Sequence, residues 1–180
     1  MIPIAVLPVA GLLMGIGQSF INETMIQTYH LQFILGKGTP LYALFTIMCN
    51  AGKIVFDNLP ALFSVGIAMG MAKHEKATAA FSALVSFLVM HASINALLTI
   101  NGFIVDGKVA DFVRLGTINT ICGIQSLDTG VFGGIVVGLG VAYLHNRFYM
   151  TRLPDYLSFF AGTRFVPVIC CVTFVFVGIL

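Results

Sequence analysis

The sequence predicts an all-α membrane protein with about five transmembrane helices. Of its 180 residues, 58% are hydrophobic and only 9% are charged, whereas a soluble domain carries about 25% charged residues. Mean hydropathy is +1.00, and the few charges fall in short turns between apolar runs. Glycines recur at four-residue spacing in several of these runs, among them Gly66 and Gly70, and Gly130, Gly134 and Gly138. That spacing gives a smooth helical stripe against which a neighbouring membrane helix packs closely. The net charge of +2 comes without a basic patch, so no nucleic-acid partner is expected. Cys49, Cys122, Cys170 and Cys171 lie in or beside apolar segments without metal-ligand spacing. They read as free thiols acting as small buried hydrophobes, and neither a metal nor a cofactor is expected.

Met1 to about Ile21 is the first span, uncharged, with Pro3 and Pro8 near its start and Gly11, Gly15 and Gly17 along it. Met1-Ile2-Pro3 lacks the cationic start of a secretion signal, and no A-x-A-like site follows. Asn22 to Thr39 is a polar connection carrying Glu23, His30 and Lys37. Leu41 to Val55 is amphipathic: Asn50, Lys53 and Asp57 recur at i, i+3 and i+7 and share one helical face. Asn58-Leu59-Pro60 interrupts, because proline disfavours helical geometry in the residue before it. Residues 40–72 therefore read as one long broken helix, or as an interfacial helix feeding a second span over 59–72. Lys73-His74-Glu75-Lys76 is a tight charged turn, and the third span, 77–100, is interrupted only by His91 and Asn95. Asn101 to Ser126 is polar and mixed in charge. The fourth span covers about 130–144, and Arg147 to Arg164 reads as a re-entrant or surface segment. The fifth apolar run, 165–180, has 16 residues, short of the roughly 20 that cross a bilayer. Apolar runs begin at the first residue and stop at the last, so the chain reads as the N-terminal part of a longer protein.

Lysine and arginine set the expected orientation. Lys73, Lys76, Arg147, Arg152 and Arg164 fall on one side of a five-span arrangement. Lys37, Lys108 and Arg114 fall on the other, the last two offset by acids. The N-terminus is then cytoplasmic.

Several polar groups admit two readings. His91 and Asn95 sit one turn apart and face the same way; they line a solute path or make interhelical hydrogen bonds, the commoner fate of such groups. Lys53 and Asp57 either neutralise each other at i, i+4 or lie in the interface plane with their charges in water. Arg164 either snorkels to headgroups or takes a structural or gating role, its backbone fixed by Gly162 before it and Pro167 after it. Asp128 and Thr129 are placed to cap the fourth helix. Tyr143, Tyr149, Tyr156, Phe159 and Phe160 read as interface aromatics.

Three segments in order carry a family resemblance. They are Asp128-Thr129-Gly130-Val131-Phe132-Gly133-Gly134, then Asn146-Arg147-Phe148-Tyr149 with Leu153-Pro154-Asp155-Tyr156-Leu157, then Gly162-Thr163-Arg164-Phe165-Val166-Pro167. Asp57-Asn58-Leu59-Pro60 adds a fourth. The chain closely resembles the membrane subunit of bacterial sugar phosphotransferase systems, the enzyme IIC of the glucose/maltose/N-acetylglucosamine superfamily. The resemblance covers the whole chain but only the first, dimerisation half of that fold. It implies a multi-pass plasma-membrane protein that translocates sugar while a phosphocysteine on a B component phosphorylates it. A homodimer in lipid is implied, with glucose or maltose the nearest substrates and N-acetylglucosamine or a glucoside next. His91 and Asn95, as polar residues inside a span, and Arg164, by the resemblance, are then candidates for the sugar path, and Asp128, Gly130, Gly134, Gly138, Arg147, Pro154, Gly162 and Pro167 are structural motif positions.

No catalytic residue is expected here. The family's substrate-binding G-I-T-E-like and G-L-H-H-like motifs and the B component's C-x-T-R-L-like motif do not occur in the sequence. The competing reading is a standalone membrane scaffold without transport activity. An intramembrane hydrolase would need Ser86 or Ser93 with His91 in a G-x-S-x-G or H-E-x-x-H context, and neither context occurs.

Overall fold

A computed structural model describes residues 2–30, 32–36, 38–105, 108–109, 116–151 and 162–180. Two compact units divide it, Met1–Asn58 and Leu59–Leu180.

In the first unit, α1 (Ile2–Ile21) packs along α4 (Pro40–Asp57), with the short helices α2 (Glu23–Thr28) and α3 (Gln32–Leu35) between them in sequence. The connection expected over Asn22–Thr39 is thus partly helical. Its ends are set by caps. Asn22 accepts from the Thr24 amide at 2.9 Å, and Thr39 accepts from the Tyr42 amide at 3.3 Å with Pro40 opening α4. At the other end of α4 the Asn58 side chain donates to the Ile54 carbonyl at 2.7 Å. The α1–α4 seam depends on two glycines. A β-carbon on Gly17 would lie 2.6 Å from the Cys49 amide nitrogen, and one on Gly52 would lie 2.6 Å from the Ala10 carbonyl oxygen. Lys53 and Asp57 are both exposed, and no ion pair joins them.

The second unit contains α5 (Leu59–Met71), α6 (Lys76–Ile100), α7 (Gly130–Phe148) and α8 (Phe165–Ile179). Pro60 falls in the first turn of α5, where a missing N–H costs nothing. α5 packs on α6 and α7, and α8 packs on α6 and more lightly on α7. Phe87, Val137, Val141, Val166, Cys170 and Phe174 form the core between them. Of the glycine stripe on α7, two members serve the packing. A β-carbon on Gly134 would fall on the Pro60 carbonyl oxygen, and one on Gly138 would lie 2.8 Å from the Ser64 carbonyl oxygen. Gly130 does something else: nothing lies within 4 Å of its missing side chain, and its φ of +54° is the left-handed turn that starts α7.

Residues 101–127, whose sequence reads as mostly polar and mixed in charge, hold two antiparallel hairpins among the described residues, β1 (Ile104–Val105) with β2 (Lys108–Val109) and β3 (Ile118–Ile121) with β4 (Ile124–Leu127). The fold is otherwise helical, as predicted. α1, α6 and α7 are each long and apolar enough to cross a membrane, and α4 with α5 adds a fourth span if the pair counts as one. α8 is apolar but only 15 residues long. Large apolar side chains lie exposed on its outer side, Phe176 at 64%, and on α1, Leu12 at 65%, as lipid-facing helices require.

The glycine seams are open to a direct test. In the full-length protein, Gly134→Val should lower stability by about 1–3 kcal/mol, the usual cost of overpacking. Gly70→Ala, where nothing lies within 4 Å, should be neutral or slightly stabilising. Thermal melts in detergent, read by size-exclusion peak height, separate the two.

Candidate functional site

Polar groups inside the second unit gather at the two ends of the α6–α7 pair. At one end, His91 and Asn95 reach from α6 to β4. The His91 ring is 1% exposed, and its Nδ1 lies 2.8 Å from the Ser126 hydroxyl, itself fully buried. One turn further, the Asn95 amide donates to the Gln125 carbonyl at 2.6 Å. Phe87 presses edge-on against the His91 ring, centroids 4.5 Å apart. The other ring nitrogen, Nε2, is buried with no hydrogen-bond partner among the described residues. Both candidate path residues thus bond to the β3–β4 hairpin.

Asp128 ends that hairpin and starts α7. Its carboxylate accepts from the Gly130 amide at 3.0 Å and from the Asn119 side chain at 3.4 Å. Asp128 is thus the cap expected from sequence. Thr129 is not: its hydroxyl is buried without a hydrogen bond, against the β-carbon position of Gly133.

At the opposite end, α7 grips the turn between α5 and α6. The Asn146 side chain donates to the Met71 carbonyl at 3.0 Å and accepts from the Lys73 amide at 2.9 Å. It thereby satisfies one of the carbonyls that the end of α5 leaves open. His145 is fully buried, and its Nε2 donates to the His74 carbonyl at 2.7 Å. Tyr149, expected as an interface aromatic, stacks on the His74 ring with centroids 5.0 Å apart. These bonds hold the 72–75 turn against the end of α7, with Lys73, Lys76 and Arg147 all exposed there. Sequence grouped those cations but did not find the clamp. Asn146 had looked like part of a cationic turn, and a hydrogen bond spanning 75 residues leaves no local signal.

The remaining motif positions are dispersed. Arg164 is exposed in a 3-10 turn, Gly162–Arg164, that leads into α8. Gly162 has φ +70°, and Pro167 lies in the first turn of α8, where proline is tolerated. Pro154, Arg152, Tyr156, Phe159 and Phe160 lie outside the described residues. No disulfide joins the four cysteines; Cys170 is buried as expected, but Cys122 is exposed at the β3–β4 turn with φ +50°. Partial burial of its sulfur pushes the Cys122 thiol up from its ordinary value.

This arrangement defines a multi-span helical membrane protein in which the described polar groups tie elements together. The comparisons then fix the family. A family model described as "Phosphotransferase system, EIIC" matches residues 1–180, and the chain belongs to that family. Among curated relatives, the "PTS system maltose-specific EIICB component" of Escherichia coli strain K12 is 38% identical over 179 residues, 99% of this chain and 33% of the relative. The "PTS system glucose-specific EIICBA component" of Staphylococcus saprophyticus is 40% identical over 173 residues, 96% of this chain and 24% of the relative. The chain thus spans a third or less of the length of these relatives.

Two outcomes follow from the geometry. Asn146→Ala should free the α5–α6 turn, raising the rate of trypsin cleavage after Lys73 and Lys76 in membranes opened to expose that face, while Asn101→Ala leaves it unchanged. At Cys122, the raised thiol value means less thiolate at neutral pH, so maleimide labelling should lag a free cysteine below pH 9. The rate should keep climbing above that pH, where the free thiol levels off. Stopped alkylation time courses across pH 7 to 10 would measure it.

Proposed function

We propose that this chain is the N-terminal part of the C component of a sugar phosphotransferase permease in the bacterial plasma membrane. In this reading it helps carry a glucose- or maltose-type sugar across the bilayer, and a B-component phosphocysteine donates its phosphoryl group to a sugar hydroxyl on the cytoplasmic side. The observation that carries the proposal is the family match along all of residues 1–180, together with relatives named for maltose and glucose. Positive-inside counting puts the N-terminus, the 72–75 turn and the end of α7 in the cytoplasm.

Within that activity the segment is a packing and dimerisation unit. Five glycines whose neighbours leave no room for a β-carbon (Gly17, Gly52, Gly134, Gly138 and Gly178) support a tightly packed frame. His91 and Asn95 act in it as positioning residues for the hairpin. Arg164, exposed at the entry to α8, is kept as a candidate for the sugar path or its gating. Sugar recognition falls to residues outside this chain.

The test uses the full-length protein in a host deleted for its own glucose and maltose permeases. Membranes from that host, supplied with the soluble phosphotransferase proteins, should phosphorylate radiolabelled glucose or maltose from phosphoenolpyruvate, and cells should take the sugar up. A protein present in the membrane that supports neither, with N-acetylglucosamine and glucosides also inert, would overturn the permease reading in favour of a scaffold.

A further inference from the structure

Unpaired cations collect where the turn between α5 and α6 meets the end of α7. The clamp decides which residues are neighbours there. The Lys73 amide donates to the Asn146 side chain, the His74 carbonyl accepts from His145, and the His74 ring stacks on Tyr149. Lys76 begins α6 just past the turn, and Arg147 lies on α7 between Asn146 and Tyr149. Lys73, Lys76 and Arg147 are exposed, and among the described residues no ion pair or hydrogen bond engages their charged groups. Glu75 is the acid of the turn, so among the described residues three cations stand against a single carboxylate. The C-termini of α5 and α7 meet the N-terminus of α6 here. Their dipoles oppose one another, and the charged side chains set the sign of the surface.

Exposed apolar side chains border these cations. Met71, the last residue of α5, is 54% exposed, and Met150, just past the end of α7, is 75% exposed. α6 and α7 are each long and apolar enough to cross a membrane, and a helix that crosses ends among lipid headgroups. The bond from His145 to the His74 carbonyl ties the approach to α6 to the last turn of α7. A charged patch alone would suit any anion. Cations bordered by apolar side chains, at the ends of two such helices, suit an anion that carries acyl chains. Charge also selects among lipids. A zwitterionic headgroup brings its own cation, which three unpaired cations repel, whereas a headgroup of net negative charge is attracted.

We infer that this surface seats an anionic phospholipid, its phosphate among Lys73, Lys76 and Arg147 and its upper acyl chains against Met71 and Met150. The clamp holds like charges close together, and a bound phosphate relieves their repulsion. The headgroup thus serves as a counter-ion for the α5–α6 turn. The site depends on insertion in a membrane, and neither on which face is cytoplasmic nor on whether sugar is carried.

The test uses the full-length protein, purified in a neutral detergent and stripped of lipid. Native mass spectrometry then compares the binding of added phosphatidylglycerol with that of phosphatidylcholine carrying the same chains. The first phosphatidylglycerol should bind about tenfold more tightly than the first phosphatidylcholine. Lys76→Gln should weaken it about fivefold, and Lys73→Gln, Lys76→Gln and Arg147→Gln together should bring the two lipids within about twofold. Glu75→Gln should shift the other way and tighten phosphatidylglycerol severalfold. Lys53→Gln, which removes an exposed cation from α4, should leave both lipids unchanged. Glycerol phosphate, the headgroup charge without the chains, should not displace the lipid at equal concentration. If the triple variant fails to accumulate, the opposite shifts at Lys76 and Glu75 carry the test. Equal binding of the two lipids, a preference that survives the triple substitution, or an equal loss from Lys53→Gln overturns the site. Displacement by glycerol phosphate makes the occupant a soluble anion and overturns it as well.

Discussion

Backbone lies directly on backbone where α7 crosses α5. At Gly134 the carbonyl oxygen of Pro60 occupies the space a side chain would need, and at Gly138 the Ser64 carbonyl and Ile67 do the same. Inside a bilayer there is no water to expel, so helices are held by the closeness of contact itself. Gly178 repeats the device between α8 and α6, where the Met90 carbonyl oxygen would be 2.7 Å from a β-carbon. Much else depends on these approaches. Only because α7 is so near α5 can Asn146 reach both Met71 and Lys73, and the same closeness buries Val137 and Val141 completely.

Two buried serines of the second unit are satisfied at short range, while the Ser86 hydroxyl has no partner among the described residues. Ser64 and Ser82 return their hydroxyls to carbonyls of their own helices, at 2.8 and 2.7 Å. The two buried histidines instead join elements distant in sequence, His91 to the hairpin and His145 to the α5–α6 turn. Each keeps one ring nitrogen without a partner. The helix pair is thus closed differently at its two ends. At one, a helix side chain clamps a four-residue turn; at the other, two strands replace the missing turns of α7.

The helices were legible because their signal is local. Apolar runs bounded by charge gave α1, α6, α7 and α8 with small boundary errors, and Asn58-Leu59-Pro60 gave the break between α4 and α5. The glycine spacing foretold close packing at Gly134 and Gly138, though not that Gly130 would be a left-handed start instead of a contact. Asp128 was readable as a cap because a cap bonds to its near neighbours. What stayed hidden lies across the chain. Ile118–Leu127 contains Asn, Thr, Gly and Ser among its apolar residues and has no clean alternation, so its pairing becomes evident only once α6 supplies a surface. Nothing near His91 distinguishes a residue lining a path from one that holds a strand, since the choice depends on Ser126, 35 residues away. The family was readable for another reason: its motifs are short, ordered and continuous in sequence.

The clamp at Asn146 also constrains how the protein is made. The bond from its side chain to the Met71 carbonyl joins residues 75 positions apart. At ribosomal speeds of about 5–20 residues per second, the second partner emerges roughly 4–15 s after the first. Until then the end of α5 lacks its Asn146 partner and the His74 carbonyl lacks His145. The turn becomes ordered only when α7 arrives and completes the hairpin from the other side. Proteases and chaperones that patrol nascent membrane chains therefore meet a window, set by translation rate, in which this turn is open to them.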